Sequence, residues 1–239
     1  MQPLSSLRAH CAMLAVGLSL TAVAACSDQP SALVGTRNPS DAVGGSAGLQ
    51  DGALYVADLH PLNPRIQQLP PNSQHGVVEG KATFRVVHGE LQAAVDVNGA
   101  APAVGAFPNG LHPQHIHEAT ECPTMADDAN GDGIVDVIEG LPKYGPIMVP
   151  LDGNLADTSS QIPTFPVGDG ARGSYHYTAS AAVADIEAAL GHPLALPSRH
   201  VVVHGVDLAT PLPNTVQTLG TIPAQLTLPV ACGELRQVP

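Results

Sequence analysis

Two histidines separated by one residue are the first feature of this chain that could carry chemistry. His115 and His117 flank Ile116. Successive side chains of a β-strand point to opposite faces, so both imidazoles would lie on one side of a strand, where they can chelate a transition metal. His204, at the end of the β-branched run 201–203, offers a third nitrogen from a distant segment. The pattern predicts a metal site formed by the three histidines; the alternative is that they are hydrogen-bonded structural residues of a sheet.

His200 is a weaker candidate for the same site. It lies four residues before His204, and an even spacing puts both side chains on one face of a strand. A histidine exposed to solvent is the favoured interpretation of this position. Glu118 could orient a ligand histidine, although an ordinary surface carboxylate is the expectation we favour.

Residues 128–139 form a second motif, which reproduces the twelve-residue loop of EF-hand calcium sites. Side-chain oxygens occupy the first, third, fifth, ninth and twelfth positions, and glycine occupies the sixth. The predicted calcium ligands are Asp128, Asn130, Asp132, Asp136, Glu139 and the backbone carbonyl of Ile134. Pro123 precedes the loop and Gly140 and Pro142 follow it, which leaves little room for paired helices. We therefore expect a free-standing, structural calcium loop rather than a signalling one; the alternative is an acidic, solvated turn.

The N-terminus has the layout of an export signal. Arg8 precedes the apolar run 11–25, which is shorter than the roughly 20 residues of a membrane-spanning helix and is therefore typical of a signal peptide. The sequence Val-Ala-Ala-Cys at 23–26 resembles the lipobox of bacterial lipoproteins, which implies cleavage before Cys26 and acylation of that cysteine. The alternative is an ordinary signal peptide with an incidental cysteine. Ser27 after the cysteine hints at the outer membrane by the same resemblance.

These features divide the chain into three parts. Residues 1–25 are the predicted signal peptide, 26–50 a flexible tether rich in small and polar residues, and 51–239 a single domain. The expected location is the bacterial cell envelope, in the periplasm or at the outer membrane or cell surface, with the lipid as the sole membrane contact.

Composition favours an all-β domain that binds cations. The chain has 24 Gly, 23 Pro and no Trp, with β-branched residues in short runs, as in folds with many strands and turns. A net charge of −12 argues against nucleic acid as a partner and makes metal ions the natural ones, while any protein partner stays undefined. Cys122 and Cys232 are the two cysteines left in the domain, and in an oxidising compartment such a pair predicts a disulfide.

The strand pattern is clearest in a hairpin, in which Lys81–Val87 and Glu90–Val97 are joined at His88-Gly89. One helix is expected, capped by Ser180 and ending at Leu190 before Gly191. Further extended segments are expected at 110–117, 147–151 and 199–204, with one or two more within 215–232.

Three segments together resemble copper/zinc superoxide dismutases. Residues 110–118 are similar to the family's G-L-H-x-x-H-[IV]-H-E motif, 199–204 to the strand that ends in a copper-binding histidine, and 231–233 to the segment of its C-terminal disulfide cysteine. The resemblance implies a Greek-key β-sandwich or barrel with one inserted short helix and long loops. It also implies that His115, His117 and His204 bind copper, that Cys122 pairs with Cys232, and that the protein dismutates superoxide.

The chain departs from that family at two functional positions. No histidine occurs between His117 and His176, so the bridging and zinc-binding histidines are missing, and Pro229 stands where the family has its active-site arginine. The arrangement of the hairpin and the H-I-H motif also resembles chordin-type domains. This leaves open a non-catalytic alternative, in which a calcium-stabilised β module stores copper or binds a partner at the cell surface.

Overall fold

The computed structural model describes residues 49–100, 111–160, 164–168 and 173–239, all within one compact unit, Gly44–Pro239. The predicted signal peptide, Cys26 and nearly all of the tether lie outside the described residues. None of the helices in the described ranges has the length and apolar character to cross a bilayer.

Nine strands and four α-helices make up the described elements, together with three short 3₁₀ segments. The strands are β1 (Leu54–Pro61), β2 (Glu79–Val87), β3 (Glu90–Asn98), β4 (Gln114–His117), β5 (Ile147–Pro150), β6 (Tyr175–Ala182), β7 (His200–His204), β8 (Pro229–Glu234) and β9 (Arg236–Val238). The helices are α1 (Pro64–Gln67), α2 (Val137–Tyr144), α3 (Val183–Leu190) and α4 (Ala224–Thr227). The 3₁₀ segments are Asn72–Gln74, Met125–Asp127 and Leu196–Ser198.

The strands form one curled antiparallel sheet in the order β5-β4-β7-β8-β1-β2-β3-β6, with β9 on β1. This confirms the all-β expectation. The β2–β3 hairpin is also confirmed: Val87 pairs with Glu90. Its two-residue turn, His88-Gly89, has positive φ at both positions, 52° and 79°, as the tight turns that match strand twist require.

The predicted helix at 180–190 is correct at its C-terminal end and wrong at its start. Helix α3 begins at Val183 and ends at Leu190, before Gly191, which has φ 76°. Ser180 does not cap it, because the residue belongs to β6 and pairs with Gln92 of β3. Cross-strand pairing outweighs the capping preference of serine here.

The sequence analysis expected no pair of helices around the acidic loop, and it did not predict α2, the single α-helix that follows the loop directly. The Asp136 carboxylate accepts the N–H groups of Ile138 (2.8 Å) and Glu139 (3.0 Å). The Glu139 carboxylate accepts the Asp136 N–H at 3.1 Å, which completes a capping box. This reciprocal cap starts a helix that includes both Gly140 and Pro142.

Side chains project from both faces of β4 and β7. Ile116, Val201 and Val203 point into the main core, which also contains the inner residues of β1, β2 and β3. Val202 points the other way, into a smaller apolar cluster with Val137, Tyr144 and Cys232. The histidines therefore lie on the face of β4 and β7 that points away from the main core.

Candidate metal centre

His115, His117 and His204 come together at the adjacent strands β4 and β7. One ring nitrogen of each lies within 4.8 Å of the others. The strands pair antiparallel, with His115 opposite Val202, and the His204 N–H donates to the Pro113 carbonyl at 2.7 Å. All three side chains are buried. The predicted grouping is therefore present, and it is suited to hold a metal ion.

Each histidine uses one ring nitrogen for orientation. Nδ1 of His117 donates to the carbonyl of Gly145, and Nδ1 of His204 to that of Thr227, both at 2.8 Å. Nε2 of His115 lies 3.3 Å from the Ser160 hydroxyl. Hydrogen bonds of this kind fix the ring and its tautomer in metal-binding histidines.

The other ring nitrogens have no hydrogen-bond partner among the described residues. They are Nδ1 of His115, Nε2 of His117 and Nε2 of His204, and all three are buried. Buried polar atoms nearly always have a partner, because leaving one unpaired costs about 1–3 kcal/mol. A metal cation accepts lone pairs of this kind, so the cluster could hold one.

Burial also keeps the three imidazoles neutral. It lowers the pKa of His117 to about 3, with a further contribution from the charge that His204 would carry and an opposing one from the Gly145 carbonyl. Burial lowers the pKa of His204 to about 4, against the Thr227 carbonyl. The pKa of His115 is lowered well below its ordinary value, first by burial and then by the other two histidines. Neutral imidazoles have a free lone pair, which is the form that binds metals.

His200 does not face solvent, so that expectation is wrong. Its side chain is fully buried, and its ring stacks on His117 with centroids 6.0 Å apart and planes 8° from parallel. Burial lowers its pKa to about 4. His200 lies outside the group whose ligand atoms meet within 4.8 Å, so it packs behind the site.

Glu118 does not orient a ligand histidine. Its carboxylate instead lies 3.2 Å from Nε2 of His192 at a half-exposed position. A different residue packs on the site: the ring of Tyr144 lies 4.7 Å from that of His117, and its hydroxyl donates to the Val137 carbonyl at 2.8 Å. Sequence analysis missed this tyrosine, because only the cap of α2 would have placed it.

A cavity of about 310 Å³ opens beside the three histidines. Apart from the histidines, Ser160 and Thr227, its described lining is apolar, and none of these lining residues carries a charged side chain. Its walls come from α2, from the start of β5 and from the segment 219–227. The three histidines therefore border a largely apolar cavity.

The acidic loop 128–139 folds tightly upon itself. The Asp128 carboxylate accepts the N–H groups of Gly131 (2.8 Å) and Gly133 (2.7 Å). The Glu139 carboxylate accepts those of Ala129 (2.9 Å) and Asn130 (3.0 Å), which brings the last position of the loop to its start. Within the described ranges, the carboxylates of this loop do not form a group meeting within 4.8 Å. Calcium binding here stays a prediction from the sequence pattern.

Polar contacts anchor this loop to the domain. The Val135 N–H donates to the buried side-chain oxygen of Asn63 at 2.8 Å. The Thr215 hydroxyl donates to Asp132 at 2.6 Å, and the Gln217 N–H to Asp136 at 2.7 Å. The loop therefore supports both α2 and the segment that leads to residue 219, each of which forms a wall of the cavity.

The predicted disulfide is confirmed. Cys122 and Cys232 are bonded, with their Cα atoms 5.8 Å apart. The bridge packs against Val137, Tyr144 and Val202. It therefore ties β8 to the loop that follows β4, next to the helix that contacts His117.

Comparison with known proteins does not add to this picture. No protein-family model matches the chain, and no curated protein is significantly similar to it.

Proposed function

We propose that this protein binds one copper ion per chain through Nδ1 of His115, Nε2 of His117 and Nε2 of His204. The observation that carries the proposal is the convergence of three buried histidines within 4.8 Å, each with one unpartnered nitrogen. Three ligands with an adjoining cavity leave a coordination position open for a further ligand.

The donor set supports copper as the metal. Imidazole nitrogens suit zinc, copper, iron and nickel, and among divalent ions of the first transition row copper binds a given site most tightly. The resemblance of the H-I-H segment to copper/zinc superoxide dismutases favours the same ion. Copper would supply one-electron redox chemistry.

Superoxide dismutation is the second candidate function, and the sequence resemblance supports it. In that reaction two superoxide anions and two protons yield one dioxygen and one hydrogen peroxide. The cavity lining argues against it, because no described lining residue is cationic and the net charge of −12 repels an anion. Copper binding by a storage or partner-binding module is accordingly the function we put first.

The location and the second metal are proposals from the sequence. We infer that a lipid on Cys26 anchors the protein in the bacterial envelope; palmitate labelling of the wild type, absent in Cys26→Ala, would support the anchor, and equal labelling would exclude it. We also infer that loop 128–139 binds calcium and thereby stabilises the domain.

The copper proposal is tested by elemental analysis and electron paramagnetic resonance on the purified full-length protein. We expect about one copper per chain in the wild type and none retained by His117→Ala. His176→Ala is the matched control, because His176 lies on the surface beside Asp96 and should leave the spectrum unchanged. An unaltered spectrum in His117→Ala would exclude the site. Superoxide turnover measured on the same samples separates the two functions: turnover that is lost in His117→Ala supports dismutation, and loaded copper without turnover supports storage or partner binding.

A further inference from the structure

The chemical character of the cavity beside the histidines indicates what reaches the metal. We propose that the site takes a small, neutral, largely apolar molecule that binds the metal through one donor atom of nitrogen, oxygen or sulfur. The inference rests on the proposed function, since it requires a metal held by His115, His117 and His204.

The size of the cavity fits such a molecule. Its volume, about 310 Å³, is at the lower end of the roughly 300–1,000 Å³ found for small-molecule sites. It is about twice the roughly 150 Å³ of an engineered apolar cavity that binds benzene. A ligand of one or two rings, or an aliphatic chain of similar bulk, fills it.

The lining excludes charged ligands on energetic grounds. No described lining residue is aspartate, glutamate, lysine or arginine, so an ion entering the cavity loses its hydration without a countercharge other than the metal. Tyr144 contributes a ring rather than a free hydroxyl, because its O–H group already donates to Val137. The hydroxyls of Ser160 and Thr227 are the polar side chains that remain beside the histidines in the described lining.

The cavity is also bordered by apolar side chains that solvent reaches. Leu141, Ile147, Leu219 and Ile222 line it, and each leaves 36–40% of its surface exposed. Large apolar residues are normally buried, and their exposure as a group marks a binding surface. Four of them around one metal-binding chamber provide an apolar path to the open coordination position.

A matched ligand series tests the inference on the copper-loaded full-length protein. Imidazole and 4-phenylimidazole offer the same donor nitrogen and differ by one apolar ring, whereas azide offers an anionic donor. Titrations followed by electron paramagnetic resonance, with copper retention checked by elemental analysis, should show 4-phenylimidazole binding at least about tenfold more tightly than imidazole, because burial of a ring removes apolar surface from water. Azide should bind no more tightly than imidazole.

Variants at the border of the cavity locate the effect. Leu219→Asn should weaken the binding of 4-phenylimidazole several-fold and leave the binding of imidazole unchanged, and Leu141→Asn, in helix α2, should do the same. Leu69→Asn is the control, because Leu69 is as exposed as Leu219 (39% against 40%) and does not line the cavity. Both border variants must reduce the preference for 4-phenylimidazole over imidazole, and the control must retain it.

Three results would overturn the inference in distinguishable ways. Equal affinities for imidazole and 4-phenylimidazole, or tighter binding of azide, would refute the neutral apolar ligand while copper binding stands. A copper signal that none of the three ligands perturbs would also refute it. Failure of the protein to load copper at all would refute the proposed function and this inference with it.

Discussion

Acid should destabilise the metal-free protein steeply, because the cluster histidines are buried as neutral rings. Burial lowers the pKa of His117 to about 3 and that of His204 to about 4, whereas both would titrate near 6.5 in the unfolded chain. Below pH 6.5 the unfolded chain therefore binds protons that the folded chain does not. The free energy of unfolding is fully retained above pH 6.5 and falls as the pH drops toward the folded pKa values.

The size of the effect follows from the same shifts. One pKa unit corresponds to about 1.4 kcal/mol, so acidification from pH 6.5 to 5 should remove about 3 kcal/mol of stability through these two residues together. Urea denaturation in the presence of a chelator measures the free energy of unfolding at each pH. The double variant His117→Gln, His204→Gln has neutral polar side chains at these two positions, and neither of them titrates. We therefore compare the stability that this variant loses between pH 6.5 and pH 5 with the stability that the wild type loses.

The difference in these losses isolates the histidines, because carboxylates and surface histidines contribute alike to both proteins. We expect the wild type to lose about 3 kcal/mol more than the variant. Equal losses in the wild type and the double variant would refute the conclusion that the cluster is buried and neutral.

Three further predictions concern the elements around the site. Replacing Cys122 and Cys232 by serine opens a bridge with a sequence separation of 110 residues and should cost about 5 kcal/mol, seen as a fall in Tm of about 10–20 °C by circular dichroism; an unchanged Tm would count against it. Calcium at 100 times its Kd should stabilise the wild type by about 2.7 kcal/mol and leave Glu139→Gln unaffected in thermal melts; the same gain in both proteins would exclude loop 128–139 as the site. Gly140→Ala would place a Cβ atom 2.4 Å from Cε1 of Tyr144 and should destabilise the domain by about 1–3 kcal/mol, which an undiminished melting temperature would disprove.

The pairing of His115 and His117 was predictable from the sequence, because the two-residue period of a strand puts both rings on one face. Ile116 between them lies in the main hydrophobic core, which confirms the alternation. The position of His204 beside them followed from the resemblance of its strand to a family segment. Periodicity alone does not say which strands are neighbours, so it could not have paired β7 with β4.

Helix α2 and strand β1 were not predicted from the sequence, because interactions other than local residue preferences determine them. Gly140 and Pro142 indicate a break in a helix, yet the reciprocal cap between Asp136 and Glu139 starts α2 across them. Strand β1 (Leu54–Pro61) was not predicted, although it lies at the centre of the sheet and pairs with β2, β8 and β9. Its partners are far apart in the sequence, and their contacts define it more than its own composition does.

The cavity could not have been predicted, because its walls come from separate parts of the chain. Tyr144 follows the acidic loop, Phe165 lies in a segment between β5 and β6, and Leu219 lies before α4. No local pattern connects these positions. The histidine motif predicts the metal ligands, whereas the chemistry of the space beside them emerges only from the three-dimensional arrangement.

A crystal structure of the copper-loaded protein, with anomalous data collected on both sides of the copper absorption edge, tests the central claim most directly. We predict a single copper peak about 2.0–2.1 Å from Nδ1 of His115, Nε2 of His117 and Nε2 of His204, the distance typical of imidazole ligands. A copper peak bound elsewhere, or no copper peak at these three nitrogens, would contradict the account.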